Sequence, residues 1–358
     1  MNKLAVITMG AALAASQAQA AVVVDGEQGT LTIGGDVEFN VNYLDSEANS
    51  TINDKSWNQD GRLLLSFKGE RQQGHYTIRA LAQPTYSTNG DVGTDDVWFE
   101  VEKQQSWTLR LGRYEAYDMN PLGQDVFVNH SGDTADGKYN DGAVYIYRML
   151  EGRGRSGSAG QAMYNQQFGD LYLEVSTQFG DTSGFFADDT YHGATLIKNN
   201  KNAFVVRPVI AYQMGSFNLA LGLETNLISN STIDQDGNDV SDRTGYGFKA
   251  NYTENNWSVN LNLARMDALN ETDTSLGLNA LWNKFGLGYI YGESDISGAR
   301  LVANSKNKVS TVYSSYQFDH VIVPDLSVYL GAYLSKLSEQ QADNDNNLGA
   351  RVRVKYLF

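Results

Sequence analysis

Cysteine is absent from the 358-residue sequence, and proline occurs only four times. The first absence leaves no disulfide to staple the fold. The second, with no serine-rich stretch to replace it, leaves no linker along which the chain would divide into domains. After residue 20 no run approaches the ~20 apolar residues of a spanning helix, which excludes a helical membrane protein. Basic residues are outnumbered: 27 Lys and Arg against 42 Asp and Glu give a formal charge of -15, which argues against a nucleic-acid partner.

Signatures of catalysis are equally scarce. The four histidines, His75, His130, His192 and His320, form no metal-spaced pair, and no G-x-S-x-G elbow occurs. "GRGRSG" at 152–157 matches G-x-G-x-x-G, but no apolar strand precedes it and no amphipathic helix follows, so it reads as chance. The acidic stretch "DQDGNDVSD" at 234–242 has its glycine misplaced for an EF-hand and reads as a solvated loop. The sequence therefore predicts no enzyme, no cofactor and no metal site.

What the sequence does have is 35 Gly, 21 Tyr and 14 Phe, distributed in a period of two. In "LTIGGDVEFNVNY" (31–43), Leu31, Ile33, Val37, Phe39, Val41 and Tyr43 share one face, and Thr32, Asp36, Glu38, Asn40 and Asn42 the other. The same alternation marks 170–179, 217–226, 257–264 and 325–333. It predicts strands with one apolar and one strongly polar side. A soluble sandwich would need large residues on its inner face. Here many inner partners are small or polar, and the apolar faces end in aromatics, as in a barrel with lipid outside and water inside. Short turns near 71–74, 103–106, 168–170, 214–216, 254–256, 283–286 and 319–325 alternate with long connections near 45–60, 88–95, 117–152, 180–200, 229–242, 268–274, 296–307 and 338–346. Fifteen joints give sixteen antiparallel strands, with "DGAVYIYRML" (141–150) assigned to the third long connection.

The two ends agree with this. Residues 1–20, with Lys3, an apolar run and Ala18 and Ala20 spaced as a cleavage site, predict a signal peptide, followed by a single barrel domain at 21–358. The closing "GARVRVKYLF" places Val352, Val354, Tyr356 and Phe358 toward lipid and Arg351, Arg353 and Lys355 toward the lumen. A terminal Phe after alternating residues resembles the assembly signal of Gram-negative outer-membrane barrels, here Tyr356 and Phe358.

"GRLLLSFKGER" (61–71) resembles the second-strand motif of Gram-negative trimeric porins, "LRLGRYEAYD" (109–118) their fifth strand entering the constriction loop, and "SGDTADG" (131–137) the acidic turn at that loop's tip. The resemblance spans the chain. It implies a homotrimeric, multi-pass outer-membrane barrel that interacts with lipid, lipopolysaccharide and the barrel assembly machinery. It implies passive diffusion of ions and small hydrophilic solutes, through either a general or a raffinose-type sugar pore. The third loop, about 117–152, would narrow the lumen and present Glu115, Asp118, Asp125, Asp133 and Asp136 to a basic wall of Arg62, Lys68, Arg79, Arg110, Arg153 and Arg155. Where general-diffusion members carry a Lys and an Arg, this chain has Asp36 and Asp96, so a cation bias is expected. Trp98 and Tyr172, on inward parity, are candidates for stacking on sugar rings. An outer-membrane phospholipase or protease, or a plugged structural barrel, are the rival classes.

Overall fold

A computed structural model describes residues 21–49, 52–104, 106–122, 139, 146–149, 160–181, 185–186, 188–198, 201–299, 304–338 and 345–358. Its strands are β1 (Val22–Gly26), β2 (Gly29–Asn49), β3 (Ile52–Gln73), β4 (Tyr76–Ser87), β5 (Val92–Lys103), β6 (Trp107–Arg113), β7 (Gly160–Phe168), β8 (Leu171–Gly180), β9 (Thr190–Tyr191), β10 (Ala194–Lys198), β11 (Ala203–Met214), β12 (Phe217–Asn226), β13 (Thr232–Asp234), β14 (Thr244–Glu254), β15 (Trp257–Ala268), β16 (Glu271–Trp282), β17 (Phe285–Ile296), β18 (Ser305–Phe318), β19 (Leu326–Ser338) and β20 (Asp345–Leu357). Strands β2–β8, β11, β12 and β14–β20 pair antiparallel in chain order, and β20 returns to pair with β2. These sixteen strands form a closed barrel, as the alternation predicted. Closure gives each of the sixteen barrel strands a partner on both sides, the condition for strands to cross a membrane.

The closing seam explains why alternation runs to the last residue. Phe358 N–H donates to Gly35 O at 3.1 Å, and Gly35 N–H donates to Phe358 O at 2.8 Å. Below that point β1 takes over the free edge of β2, from Val22 opposite Ile33 to Gly26 opposite Gly29.

One barrel end has tight turns whose corner residues sit at positive φ, among them Gly74, Gly169, Gly215, Asn255 and Asn283, the residues that tolerate it. Aromatic side chains ring this end on the outside: Trp257 stacks on Trp282 at 5.7 Å and Trp107 on Tyr164 at 6.2 Å. Between the ends the outward face is apolar, with Val37, Phe39, Val41, Leu221, Leu263, Leu278 and Val352 all exposed, the pattern of lipid-facing strands.

At the other end the expected boundaries need correction. The stretch 45–60 is not a loop, because β2 and β3 continue to Asn49 and Ile52. Polar residues do not stop pairing when they are matched across the ladder: Tyr43 packs on Trp57 at 4.9 Å and Lys55 lies 3.5 Å from Asp45. Likewise 268–274 is mostly strand, interrupted only at Leu269 and Asn270, where Asn270 supplies φ 58°. The connections at 180–200 and 229–242 carry their own small sheet, in which β10 pairs with β9 and β13.

Candidate functional site

The barrel interior has two unlike halves. After β6 the chain turns into the lumen and is fastened to the far wall in order, one strand after another. Tyr117 N–H donates to Glu174 on β8 at 2.9 Å, and Arg207 on β11 donates to Tyr117 O at 2.7 Å. Tyr117 OH donates to Asn218 on β12 at 2.7 Å, and Lys249 on β14 donates to Asp118 O at 2.9 Å. Asn279 on β16 donates to Pro121 O at 2.7 Å, and Tyr313 on β18 to Leu122 O at 3.3 Å. Burial, with Asp118 beside it, pushes the Tyr117 phenol up to about 12, so at ordinary pH it remains a donor.

Residues 146–149 lie against the same wall. Ser275 Oγ donates to Tyr147 O, and Tyr147 OH donates to Glu224 at 3.1 Å. Glycine makes room for them: a Cβ at Gly222 or Gly247 would collide with the Met149 side chain, and one at Gly245 with the Tyr147 hydroxyl. Met119, Tyr147 and Met149 then join Phe185, Phe186 and Tyr191 from the β8–β11 connection, Val240 from the β12–β14 connection, and Val205, Val209 and Met266 from the wall in one buried apolar cluster. The barrel therefore has a core inside it, on the β8–β18 side.

Two clusters of polar side chains are sunk in this half. Arg207, 1% exposed, lies 3.7 Å from both Glu174 and Glu224. His192 lies 3.4 Å from Glu271, and the Arg243 guanidinium sits 5.5 Å from the Tyr139 ring. Buried charges persist only when paired.

The opposite half, β20 and β2–β6, is a charged wall. Glu38 is 2.7 Å from Lys355, 3.5 Å from Arg62 and 3.7 Å from Arg353. Arg351 donates to Asn42 at 2.6 Å and approaches Asp60 at 3.8 Å. Next to them Arg79 bonds Glu70 and Glu100, each at 2.8 Å, and also Glu102. Arg110 grips the other oxygen of Glu100 at 2.6 and 2.8 Å, and Lys68 lies 3.7 Å from Glu70. Glu38 and Glu100 side chains are 7% and 4% exposed whereas Arg62 and Arg79 are 35% and 23% exposed. Glu38 and Glu100 thus lie deeper than Arg62 and Arg79, whereas Glu70 and Asp60 are more exposed than their partners Arg79 and Arg351.

Of the residues expected from sequence to act, Arg62, Lys68, Arg79 and Arg110 lie together on this wall. Glu115 and Asp118 lie in the segment after β6; the Asp118 carboxylate accepts from Asn120 N–H at 2.8 Å. Asp125, Asp133, Asp136, Arg153 and Arg155 lie outside the described residues. Trp98 has the Arg110 guanidinium 4.5 Å over its ring, and Tyr172 packs on Tyr117 at 5.5 Å while its hydroxyl donates to Glu174 at 2.5 Å. Tyr356 stacks on Phe358 at 6.4 Å on the outer face. Sequence reasoning did not single out Glu38 and Glu100 as the hubs of the wall, nor Arg207 with Glu174 and Glu224. Their polar identity at inward positions was visible, but cross-strand register was not. The inward glycines at 222, 245 and 247 were the one local signal for where the loop docks.

A family model described as porin-like glycoporin RafY matches residues 33–358. No curated protein matches the chain in sequence. Among solved structures, the outer-membrane channel DcaP of Acinetobacter baumannii superposes with a TM-score of 0.64 at 12% identity, covering 93% of this chain and 99% of that one. OmpF of Salmonella typhi, in complex with daunomycin, gives 0.62 at 14%, covering 94% and 100%. An anion-selective porin from Comamonas acidovorans gives 0.58 at 14%, covering 92% and 99%. At such identities these structures bear on the fold alone.

Proposed function

Since the chain belongs to the porin-like glycoporin family and is an outer-membrane porin of Gram-negative type that serves passive diffusion, we propose that each barrel conducts along its β20–β6 wall and that three barrels assemble as a homotrimer. The observation that carries the path is the asymmetric docking of the third loop. The hydrogen bonds that tie residues 117–122 to the barrel go to β8, β11, β12, β14, β16 and β18. A solute passing there meets guanidinium and ammonium donors interleaved with carboxylates, a surface that replaces hydration shells for polar molecules of either sign. Because acids and bases are closely matched on the wall, the excess negative charge of the chain lies elsewhere, and the cation bias of the pore is weak.

A second reading, a sugar-preferring pore, has support from the glycoporin description of the family. The engaged faces of Trp98 and Tyr172 favour hydrogen bonding over ring stacking as its means of recognition. Planar-bilayer recording of the purified protein tests both. Conductance steps in groups of three support the trimeric pore, and a silent bilayer refutes it. Saturable block of the current by an added trisaccharide supports the sugar reading, and size-limited, unsaturable flux of sugars and amino acids alike supports general diffusion.

A further inference from the structure

Four charged residues of the wall lie in one straight row across four strands. Glu70 on β3 stands opposite Arg79 on β4, Arg79 opposite Glu100 on β5, and Glu100 opposite Arg110 on β6. Uncharged partners bound the row, Thr30 on β2 and Met163 on β7. Opposite residues of a ladder share one face of the sheet, so the sign of charge alternates at every strand. Lys68 and Glu102, two residues from Glu70 and Glu100 along their strands, add one charge of each sign. Three bases therefore meet three acids, and the patch carries no net charge.

The bonds within the row leave particular atoms open. Glu100 accepts from Arg79 Nη1 at 2.8 Å with one oxygen, and from Arg110 Nε and Nη2 at 2.8 and 2.6 Å with the other. Arg79 Nε donates to Glu70 at 2.8 Å, and its Nη1 donates to Glu102 as well. The Arg110 guanidinium lies 4.5 Å over the Trp98 ring, which fixes one face of it as Glu100 fixes one edge. Arg79 Nη2 and Arg110 Nη1 have no hydrogen-bond partner among the described residues, and neither is shut away from water. Their side chains are 23% and 24% exposed, and that of Glu102 is 29% exposed. Glu102 keeps one carboxylate oxygen, Oε1, outside its bond to Arg79. Because a single Arg79 nitrogen touches both Glu100 and Glu102, this acceptor stands close to the open donor on Arg79.

We propose that the row is a subsite for zwitterionic solutes of the α-amino-acid type. The solute carboxylate lies between Arg79 Nη2 and Arg110 Nη1, and its ammonium group lies at Glu102. The proposal deepens the conducting-wall reading given above and rests on it. Charge balance selects the class of solute. A lone anion is drawn to the guanidinium donors but repelled by Glu70 and Glu102, and a lone cation meets the converse. A solute with both signs on neighbouring atoms satisfies both. A sugar brings dipoles only, without the Coulombic gain of opposite unit charges in contact. Both guanidinium groups are already held in place, which lowers the ordering cost of binding.

Uptake into proteoliposomes of the purified protein tests it with four small solutes of similar size: serine, glycerate, serinol and glycerol. Glycerate has a hydroxyl in place of the ammonium of serine, serinol has a hydroxymethyl group in place of the carboxylate, and glycerol lacks both charges. Initial rates are taken at pH 7 after subtraction of uptake into protein-free liposomes. Opposite unit charges ~4 Å apart in water attract by a factor of about five. Serine at low concentration should therefore enter at least about fivefold faster than glycerol, saturate, and outpace both singly charged probes. Arg110→Gln is expected to lower the serine-to-glycerol ratio about fivefold and to shift preference toward serinol. Glu102→Gln should lower it similarly but shift preference toward glycerate. A variant that merely loosened the wall would move all four rates together. Arg265→Gln, on the outward face beside Tyr246, should leave every ratio unchanged. Equal entry of serine and glycerol, a wild-type preference for either singly charged probe, or ratios unmoved in both wall variants overturns the proposal. The wild-type comparison decides even where a variant fails to insert. Glycerol entry without a serine preference refutes the subsite alone, whereas wild-type liposomes that admit none of the four refute the conducting pore on which it rests.

Discussion

Arg207 is the residue on which the inner half of the barrel turns. It is 1% exposed, lies between Glu174 and Glu224 of the neighbouring strands, and donates to the Tyr117 carbonyl. Removing one partner of a buried ion pair costs about 3–5 kcal/mol, because the other charge is stranded. Arg207→Met is therefore expected to free the segment after β6 without unfolding the barrel, giving larger and noisier single-channel currents. Arg207→Lys should restore part of the quiet state; unaltered current noise in Arg207→Met would refute the assignment. A residue outside the membrane gives a pH prediction. Burial favours the protonated form of Asp234, but hydrogen bonds from Asn238, the backbone at 236 and the backbone at 237 hold its carboxyl below the usual range. A lowered native pKa means that the turn is stabilised at and above the ordinary carboxylate value of about 3.9 and loses that support as pH falls through the lowered pKa. Amide exchange at Asp236 and Asn238 should stay slow relative to chain-intrinsic rates at pH 5 and lose its protection only in stronger acid. In Asp234→Ala it should be unprotected at both.

At the scale of elements, the strands were readable and their partners across the lumen were not. Alternation is a local property: Val37, Phe39 and Val41 declare an outward face whatever lies elsewhere in the chain, and Gly74, Gly169 and Asn283 declare their turns. The docking of the third loop is non-local. Tyr147 meets Glu224, 77 positions away, and Tyr313 meets Leu122, 191 positions away, and no window of sequence contains both members of either pair. The hairpin ends failed for a different reason, since hydrophilic residues at 45–60 were read as loop although matched cross-strand pairs sustain a ladder above the membrane. Two elements yield tests. Gly247→Leu fills the space that holds the Met149 side chain, and overpacking costs about 1–3 kcal/mol. The expected result is a folded barrel whose 146–149 segment is released, seen as new protease cleavage there. Persisting protection would show that the wall adjusts instead. Phe358→Asp attacks the seam, where Phe358 and Gly35 exchange both backbone hydrogen bonds. A charge on the lipid face costs about 2–4 kcal/mol at mid-bilayer and less near its edges, so recognition during insertion is the larger effect. The variant should be exported but accumulate little heat-modifiable barrel in outer membranes.

For the whole molecule the question is which of its charges an ion feels. The formal charge of -15 suggests a cation-selective pore, but distance and screening weigh the charges very unequally. A unit charge ~8 Å away in water acts with about 0.5 kcal/mol, roughly a twofold change in local ion concentration per charge. Beyond a Debye length of ~10 Å at 0.1 M salt the effect is largely gone. Arg62 and Arg79 lie on the charged wall proposed as the path, and their side chains are more exposed than those of Glu38 and Glu100. Neutralising both to Gln leaves those carboxylates undercompensated; each lost charge roughly doubles the local cation concentration and halves that of the anion, so cation permeability over anion permeability should rise by up to about 16-fold, and by less once 0.1 M salt screens the charges. Asp234, Asp236 and Asp239 lie in the β12–β14 connection, where Asp234 is tied to Asn238 and Asp239 to Asn230 and Ser241. Replacing all three by Asn removes one more charge than the arginine pair yet should move the ratio far less. Repeating both measurements near 1 M salt, where the Debye length falls to ~3 Å, should shrink the arginine effect as well. Reversal potentials that shift as much for the aspartate triple variant as for the arginine pair would mean that ions do not travel along the β20–β6 wall.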